Sequence, residues 1–314
     1  MKKYFSQTTF LAIIACLLWS SAFVGVKIGL KYHSPLQFAG IRFLISGLIL
    51  IPVVYDFTRF RKEVRENFGY VCLIAFLQVI IQYSLFYLGV SMVPASISAM
   101  IVGSSPLFVA LVAHFSISED RMDWYKTGSI LLGILGVAVI TLGRDSLPSG
   151  SEIALTGVVL LLLNNLASGI TNVVVARKRQ TISPMVLTSS SLFIGGLSLF
   201  VISIPLEGLQ YKVFPAEYYV ALGWLSFLSA AAITIWNTLL RRPMVKVSEL
   251  NMWKFLIPVS GAILSWLILP DESPDVVSVS GMILIATSLL ILNLPKRREK
   301  VLPSNHMGGV DVLN

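Results

Sequence analysis

The chain has 314 residues, of which 55% are hydrophobic and only 13% charged. Soluble domains carry roughly 25% charged residues, so this composition excludes an ordinary soluble protein and points to a membrane one. The net charge of +8 is no sign of nucleic acid, because the basic residues sit in short loops between apolar runs, where they set membrane orientation.

Ten spans are expected: 8–30, 36–54, 68–90, 93–115, 126–143, 152–174, 184–206, 217–239, 248–269 and 278–294. Lys2 and Lys3 precede the first run, which is too long for a cleaved signal peptide and reads as a retained span. It holds Cys16, Trp19 and Lys27, with Gly25 and Gly29 on one smooth face. The second span carries Arg42. The third carries Gln78, Gln82 and Tyr83, and the two glutamines, four apart, share a helix face. The fourth has Ala95, Ala99 and Gly103 at four-residue spacing, then Ser104, Ser105 and Pro106, and leads to Glu119. Trp124 and Tyr125 open the fifth as interfacial aromatics. Asn164, Asn165, Thr171 and Asn172 lie in the sixth. Tyr218 and Tyr219 open the eighth as a second belt. The ninth holds Lys254 and Pro258 and runs to Glu272. The tail from Val301 has no apolar period and reads as disordered.

The fourth and ninth spans share one plan. Pro106 and Pro258 lie 152 positions apart, and the pairs Glu119/Glu272 and Gly128/Gly281 each lie 153 apart. This predicts one unit built twice, as residues 1–143 and 152–294, with 295–314 left as a cytoplasmic tail. A five-span unit repeated in tandem inverts its copy, and interrupted spans at matching positions mark a substrate path. Each proline taken alone is also a simple kink in a packed helix.

Orientation follows from the basic residues. With the N-terminus inside, the inner segments hold Lys2, Lys3, Arg59, Arg61, Lys62, Arg65, Arg121, Lys126, Arg177, Lys178, Arg179, Arg241, Arg242, Lys246, Lys296, Arg297, Arg298 and Lys300. The outer ones hold Lys31, Arg144 and Lys212. Both termini are therefore expected in the cytoplasm, in the cell (inner) membrane. Cys16 and Cys72 read as small hydrophobes. His33, His114 and His306 have no metal-ligand spacing, and no cofactor or metal is expected.

The motifs Trp19-Ser20-Ser21-Ala22-Phe23, Lys27, Ser34-Pro35, Arg42-Phe43, Tyr87-Leu88-Gly89, Ala95-Ser96, Ser105-Pro106-Leu107 and Glu119 carry a family pattern. Gly128, Gly133 and Gly136 continue it. Ser183-Pro184, Trp236-Asn237, Pro258, Glu272 and Gly281 repeat it more weakly. The chain resembles the EamA-type members of the drug/metabolite transporter superfamily over about residues 8–294. The resemblance implies an all-α integral membrane fold of ten helices in two inverted five-helix repeats, with a central cavity and alternating access. It also implies transport of small metabolites, often export of amino acids or related compounds. The repeats have diverged: Ser191 stands where the second would match Arg42, and the sixth span lacks the Trp opening.

No acid lies in mid-membrane, so no carboxylate relay for a proton-driven pump is visible. The expected substrate-binding residues are Trp19, Gln78, Gln82, Tyr83, Ser105 and Asn164. An amide in hydrocarbon must be paired or face water. These amides therefore either line a wet cavity or bond between helices. Lys27, Arg42, Pro106, Lys254 and Pro258 are gating or structural candidates. Lys27 and Lys254 are within snorkelling reach of the span ends, and Arg42 lies deeper. The expected function is a secondary carrier of small organic solutes, most simply an exporter of amino acids or related metabolites. The rival is a carrier of anionic, phosphorylated metabolites using Lys27, Arg42 and Lys254, which an otherwise neutral midplane disfavours. No enzyme motif lies in the spans. The expected partners are the solute and the lipid bilayer, with the chain a monomer or homodimer.

Overall fold

The computed structural model describes residues 2–53, 56–116, 124–142, 151–177, 182–242, 245 and 247–292. Glu119 and the tail from residue 293 lie outside them. Every regular element among the described residues is helical. Seven stretches are long and apolar enough to cross a membrane: Gln7–Leu30, Pro35–Val53, Phe68–Met92, Ala95–Ser116, Glu152–Arg177, Pro184–Glu207 and Ala216–Leu240. Three apolar helices are shorter, Thr127–Ile140, Leu256–Ile268 and Val276–Ile291. Large apolar side chains such as Phe10, Leu131, Leu163, Leu267 and Leu290 point outward, as a lipid-facing surface requires.

The helices are α1 (Lys2–Leu30), α2 (Pro35–Leu50), α3 (Phe57–Glu66), α4 (Phe68–Ile74), α5 (Ser84–Met92), α6 (Ala95–Gly103) and α7 (Ser105–Ser116). They continue as α8 (Trp124–Leu142), α9 (Ser151–Arg177), α10 (Pro184–Glu207), α11 (Ala216–Leu240), α12 (Val247–Asn251), α13 (Leu256–Ile268) and α14 (Val276–Leu292). A π-helical stretch, Ala75–Tyr83, joins α4 to α5, and a 3₁₀ turn, Met252–Phe255, joins α12 to α13.

The most extensive helix pairs are α2 with α10, α8 with α14, α1 with α11, and α6 with α13. α9 packs on α5, the π stretch and α7, and α1 also packs on α13. Small residues set these distances. A Cβ at Gly196 would stand 2.4 Å from the Leu44 nitrogen, so α2 and α10 touch backbone to backbone. Gly136 and Gly281 do the same between α8 and α14, whereas Gly128 faces open space.

α3 differs from expectation, since residues 59–65 read in the sequence only as a charged loop. Asp56 caps it by accepting from the Arg59 backbone N–H, and Arg59 pairs with Glu63 one turn on at 2.9 Å. This is a short surface helix, polar on one side, that lies between α2 and α4.

Three carboxylates tie helix ends together. Pro35, the first residue of α2, has no N–H, and the side chain of Ser34 makes no cap. The free N–H groups of Leu36 and Gln37 instead donate to Glu207 at the end of α10, each at 2.9 Å. α6 begins after Pro94 with no local side-chain cap. The N–H groups of Ala95 and Ser96 donate to Glu272, at 2.6 and 2.8 Å. At the opposite end of the bundle the Ser183 N–H donates to Glu63 at 2.8 Å. A carboxylate at a helix N-terminus satisfies orphan donors and meets the positive end of the dipole.

Candidate functional site

Two helix interruptions build the site. α6 ends and α7 begins across Ser104, because Pro106 supplies no N–H to the preceding turn. The Asn165 side chain heals the break: its Nδ2 donates to the Ile101 carbonyl at 2.7 Å and to Ser104 Oγ at 3.3 Å. The second interruption is the 3₁₀ turn Met252–Phe255, where Pro258, four residues after Lys254, can return no hydrogen bond to the Lys254 carbonyl. The two meet, since a Cβ at Gly103 would overlap the Pro258 ring at 2.3 Å. Ala99 likewise faces Gly261.

Beside this junction is a cavity of about 90 Å³, room for several waters. It is lined by Trp19, Ala22, Phe23, Arg42, Gln78, Gln82, Tyr83, Phe86, Val102, Ser105, Asn164, Asn165, Ser168, Asn172, Trp236, Lys254 and Ile257. The six residues expected to bind substrate thus meet at one cavity, from α1, the π stretch, α7 and α9. Of the gating or structural candidates, Arg42 and Lys254 also line it, Pro106 and Pro258 each follow a lining residue without lining it themselves, and Lys27 does not reach it. Lys27 instead lies within electrostatic reach of Glu272, near the upper end of α1.

Gln78, Gln82 and Tyr83 project from the π-helical stretch rather than from a regular helix. π turns leave backbone groups available and recur at functional sites. Here the Asn164 amide, turned to the orientation that satisfies both its oxygen and its nitrogen, donates to the Gln82 carbonyl at 3.2 Å. The Oε1 of Gln78 is buried with no donor.

Lys254 does not snorkel. It is 5% exposed, and its Nζ lies 5.0 Å from the Trp236 ring centre and 5.6 Å from that of Trp19. The two indoles meet edge to face at 5.0 Å, and such rings attract a cation. The 3₁₀ turn aims the lysine into the bundle, which is why distance along the span misleads.

Arg42 is 2% exposed. Its Nε donates to Ser229 Oγ at 2.9 Å and to the Leu225 carbonyl at 3.2 Å, and its Nη1 donates to the Tyr87 hydroxyl at 2.6 Å. The guanidinium also lies 4.9 Å from the Phe43 ring centre. Neither cation is ion-paired with a described carboxylate, and no carboxylate lines the cavity. Two basic side chains thus face the cavity with no carboxylate among its lining residues.

Trp236 is the main lining residue not singled out as a ligand. Its Nε1–H donates to Asn172 Oδ1 at 2.8 Å, so Asn172 orients an aromatic wall. The signal was the Trp236-Asn237 pair in the weaker second copy of the family pattern.

The upper end of the bundle, at residues 31–34 and 208–215, is closed by a second cluster. His33 Nε2–H donates to Gln37 Oε1 at 2.8 Å, and the Tyr218 hydroxyl meets Nδ1 at 2.7 Å. Gln37 Nε2 donates to the Gly208 carbonyl, which fixes its amide, and the Phe214 ring stacks on His33. Tyr218 is therefore buried, not a belt residue, while Tyr219 is half exposed. Burial lowers the pKa of His33, opposed by its Gln37 bond and the Glu207 charge.

Broken helices around a polar cavity in an all-helical membrane bundle are the plan of a solute transporter. The chain belongs to the EamA-like transporter family, whose model matches residues 7–142 and again 155–294. It is 26% identical over 306 residues to "Uncharacterized transporter YvbV" of Bacillus subtilis, covering 94% of each chain. It is 27% identical over 293 residues to a "Probable amino-acid metabolite efflux pump" of Escherichia coli, covering 90% of this chain and 93% of that one. A solved crystal structure matches with a TM-score of 0.68 at 16% identity, over 92% of this chain and 97% of the other, which supports the fold alone.

Proposed function

We propose that this multi-pass membrane protein is a secondary transporter that exports amino acids or related metabolites by alternating access. The observation that carries the reading is the single cavity where Trp19, Gln78, Gln82, Tyr83, Ser105 and Asn164 converge. Amides and hydroxyls there can replace the hydration of a polar solute, and the aromatic walls can take its apolar part. The efflux-pump names of two relatives support the substrate class.

The same reading takes the ten apolar helices as ten spans in two inverted halves, residues 1–143 and 152–294, with both termini cytoplasmic. The helix pairing supports it. Exchanging each span for the one five places on maps the α2–α10, α8–α14 and α6–α13 pairs onto themselves. The same exchange maps α1–α11 onto the packing of α9 with the Phe68–Met92 segment. In this reading Pro106 and Pro258 let the cavity wall flex, and Lys27 and Arg42 help hold the outward gate.

The test is efflux from proteoliposomes preloaded with labelled amino acids, N-acetylated amino acids and sugar phosphates, with and without a pH gradient. Selective loss of amino acids or of their N-acetylated derivatives supports the reading, and no movement of any probe refutes it. A second reading, a carrier of anionic phosphorylated metabolites, is favoured by one observation: Arg42 and Lys254 line the cavity without a carboxylate. Preferential loss of the sugar phosphates would make it the better one.

A further inference from the structure

The charge balance of the cavity narrows the solute, if the cavity is the transport site as proposed above. Two buried cations face it and no carboxylate does. Arg42 spends Nε and Nη1 on Tyr87, Ser229 and a backbone carbonyl, which leaves Nη2 with no acceptor among the described residues. Lys254 makes no hydrogen bond there and rests on two indole rings. Buried charges are retained where a partner arrives to balance them, so the group these cations await is an anion.

A free amino acid brings a carboxylate, but also an ammonium. That ammonium would add a third positive charge to a small low-dielectric volume, where like charges repel strongly. It would find only amide and hydroxyl oxygens to receive it. An uncharged nitrogen meets no such penalty. The buried Gln78 Oε1, which has no donor, is an acceptor for a single neutral N–H, and Gln82 and Asn164 can serve a neighbouring carbonyl. Trp19, Trp236, Phe23 and Phe86 offer an apolar wall.

We propose that the cavity selects monocarboxylate anions with an apolar body and an uncharged nitrogen, of which N-acylated amino acids are the type, over free zwitterionic amino acids. Their carboxylate lies between Lys254 and Arg42.

The experiment is counterflow in proteoliposomes of the full chain with four labelled probes: N-acetylphenylalanine, phenylalanine, phenethylamine and glucose 6-phosphate. N-acetylphenylalanine is expected to exchange at least tenfold faster than phenylalanine, and phenethylamine not at all. Lys254→Met is expected to reduce N-acetylphenylalanine exchange at least tenfold and Lys254→Arg far less. Monodisperse elution in detergent checks that each variant folds. Phenylalanine moving as fast or faster, with exchange still lost in Asn164→Leu, would overturn the proposal and leave the cavity reading standing. Preference for glucose 6-phosphate, or no movement of any probe, would also overturn it. Exchange indifferent to Trp19→Ala, Asn164→Leu and Lys254→Met would remove the cavity from the transport path altogether.

Discussion

Glu207 offers the sharpest test of how the bundle is held together. It accepts from two backbone N–H groups at the start of α2, each at 2.9 Å, where Pro35 and Ser34 provide no cap of their own. A hydrogen bond to a charged group contributes about 1.5–3 kcal/mol, and a neutral one about 1 kcal/mol. The helix dipole adds about 0.3–1 kcal/mol for an exposed anion. Glu207→Gln keeps the shape and one neutral acceptor, and loses the other bond and the charge. Because the side chain is only half-buried, the low end applies, and the cost is about 2 kcal/mol. That is roughly a 30-fold change in an equilibrium constant. Chemical unfolding in detergent, followed by circular dichroism, measures it. A change below about 0.3 kcal/mol, within the range of ordinary surface substitutions, would refute the assignment of Glu207 as the cap of α2.

Further outcomes follow from other contacts. Asn165→Leu removes the donor to the Ile101 carbonyl and should lower stability by about 1–2 kcal/mol. Chemical unfolding in detergent measures it, as for Glu207→Gln. Gly196→Leu places side-chain atoms where a Cβ already stands 2.4 Å from the Leu44 nitrogen. It should sharply reduce recovery of monodisperse protein, whereas Gly128→Ala, with no neighbour in reach, should not. Burial lowers the His33 pKa below its ordinary 6.5, so the unfolded chain binds the proton first as pH falls. The stability from neutral His33 is thus present above 6.5 and lost as pH drops through the folded-state value. The unfolding midpoint should fall between pH 7.5 and 5.5, and His33→Gln should flatten that slope.

Much of the candidate site could be read from the sequence because a membrane span punishes polar residues. Gln78, Gln82 and Asn164 stand out against apolar neighbours, and an amide at that depth has few fates. Pro106 and Pro258 stand out because nothing else in a span removes a backbone donor. The position of Lys254 was hidden, since its depth along the span suggests snorkelling. Only the 3₁₀ turn at Met252–Phe255 and the indoles of Trp19 and Trp236, 217 positions apart, turn it inward. The π stretch was hidden as well, because it is a hydrogen-bonding choice within an ordinary apolar run. The burial of Tyr218 depends on His33, a partner from another helix end that no local pattern reveals. α3 was legible in principle: Asp56 as a cap and the Arg59–Glu63 spacing are helix signals, outweighed by the density of charge.

In the proposed transport cycle the solute occupies the cavity between α1, the π stretch, α7 and α9. Ser105 lines it and is 3% exposed, and a thiol there is nearly isosteric. The most direct measurement is the rate at which a small methanethiosulfonate reagent labels Ser105→Cys, with Cys16 and Cys72 replaced by Ala, as solute is added. A transported solute is expected to slow labelling, half-maximally at its transport KM, while a solute that is not transported has no effect. Labelling that proceeds at the same rate under saturating transported solute would contradict this placement of the solute.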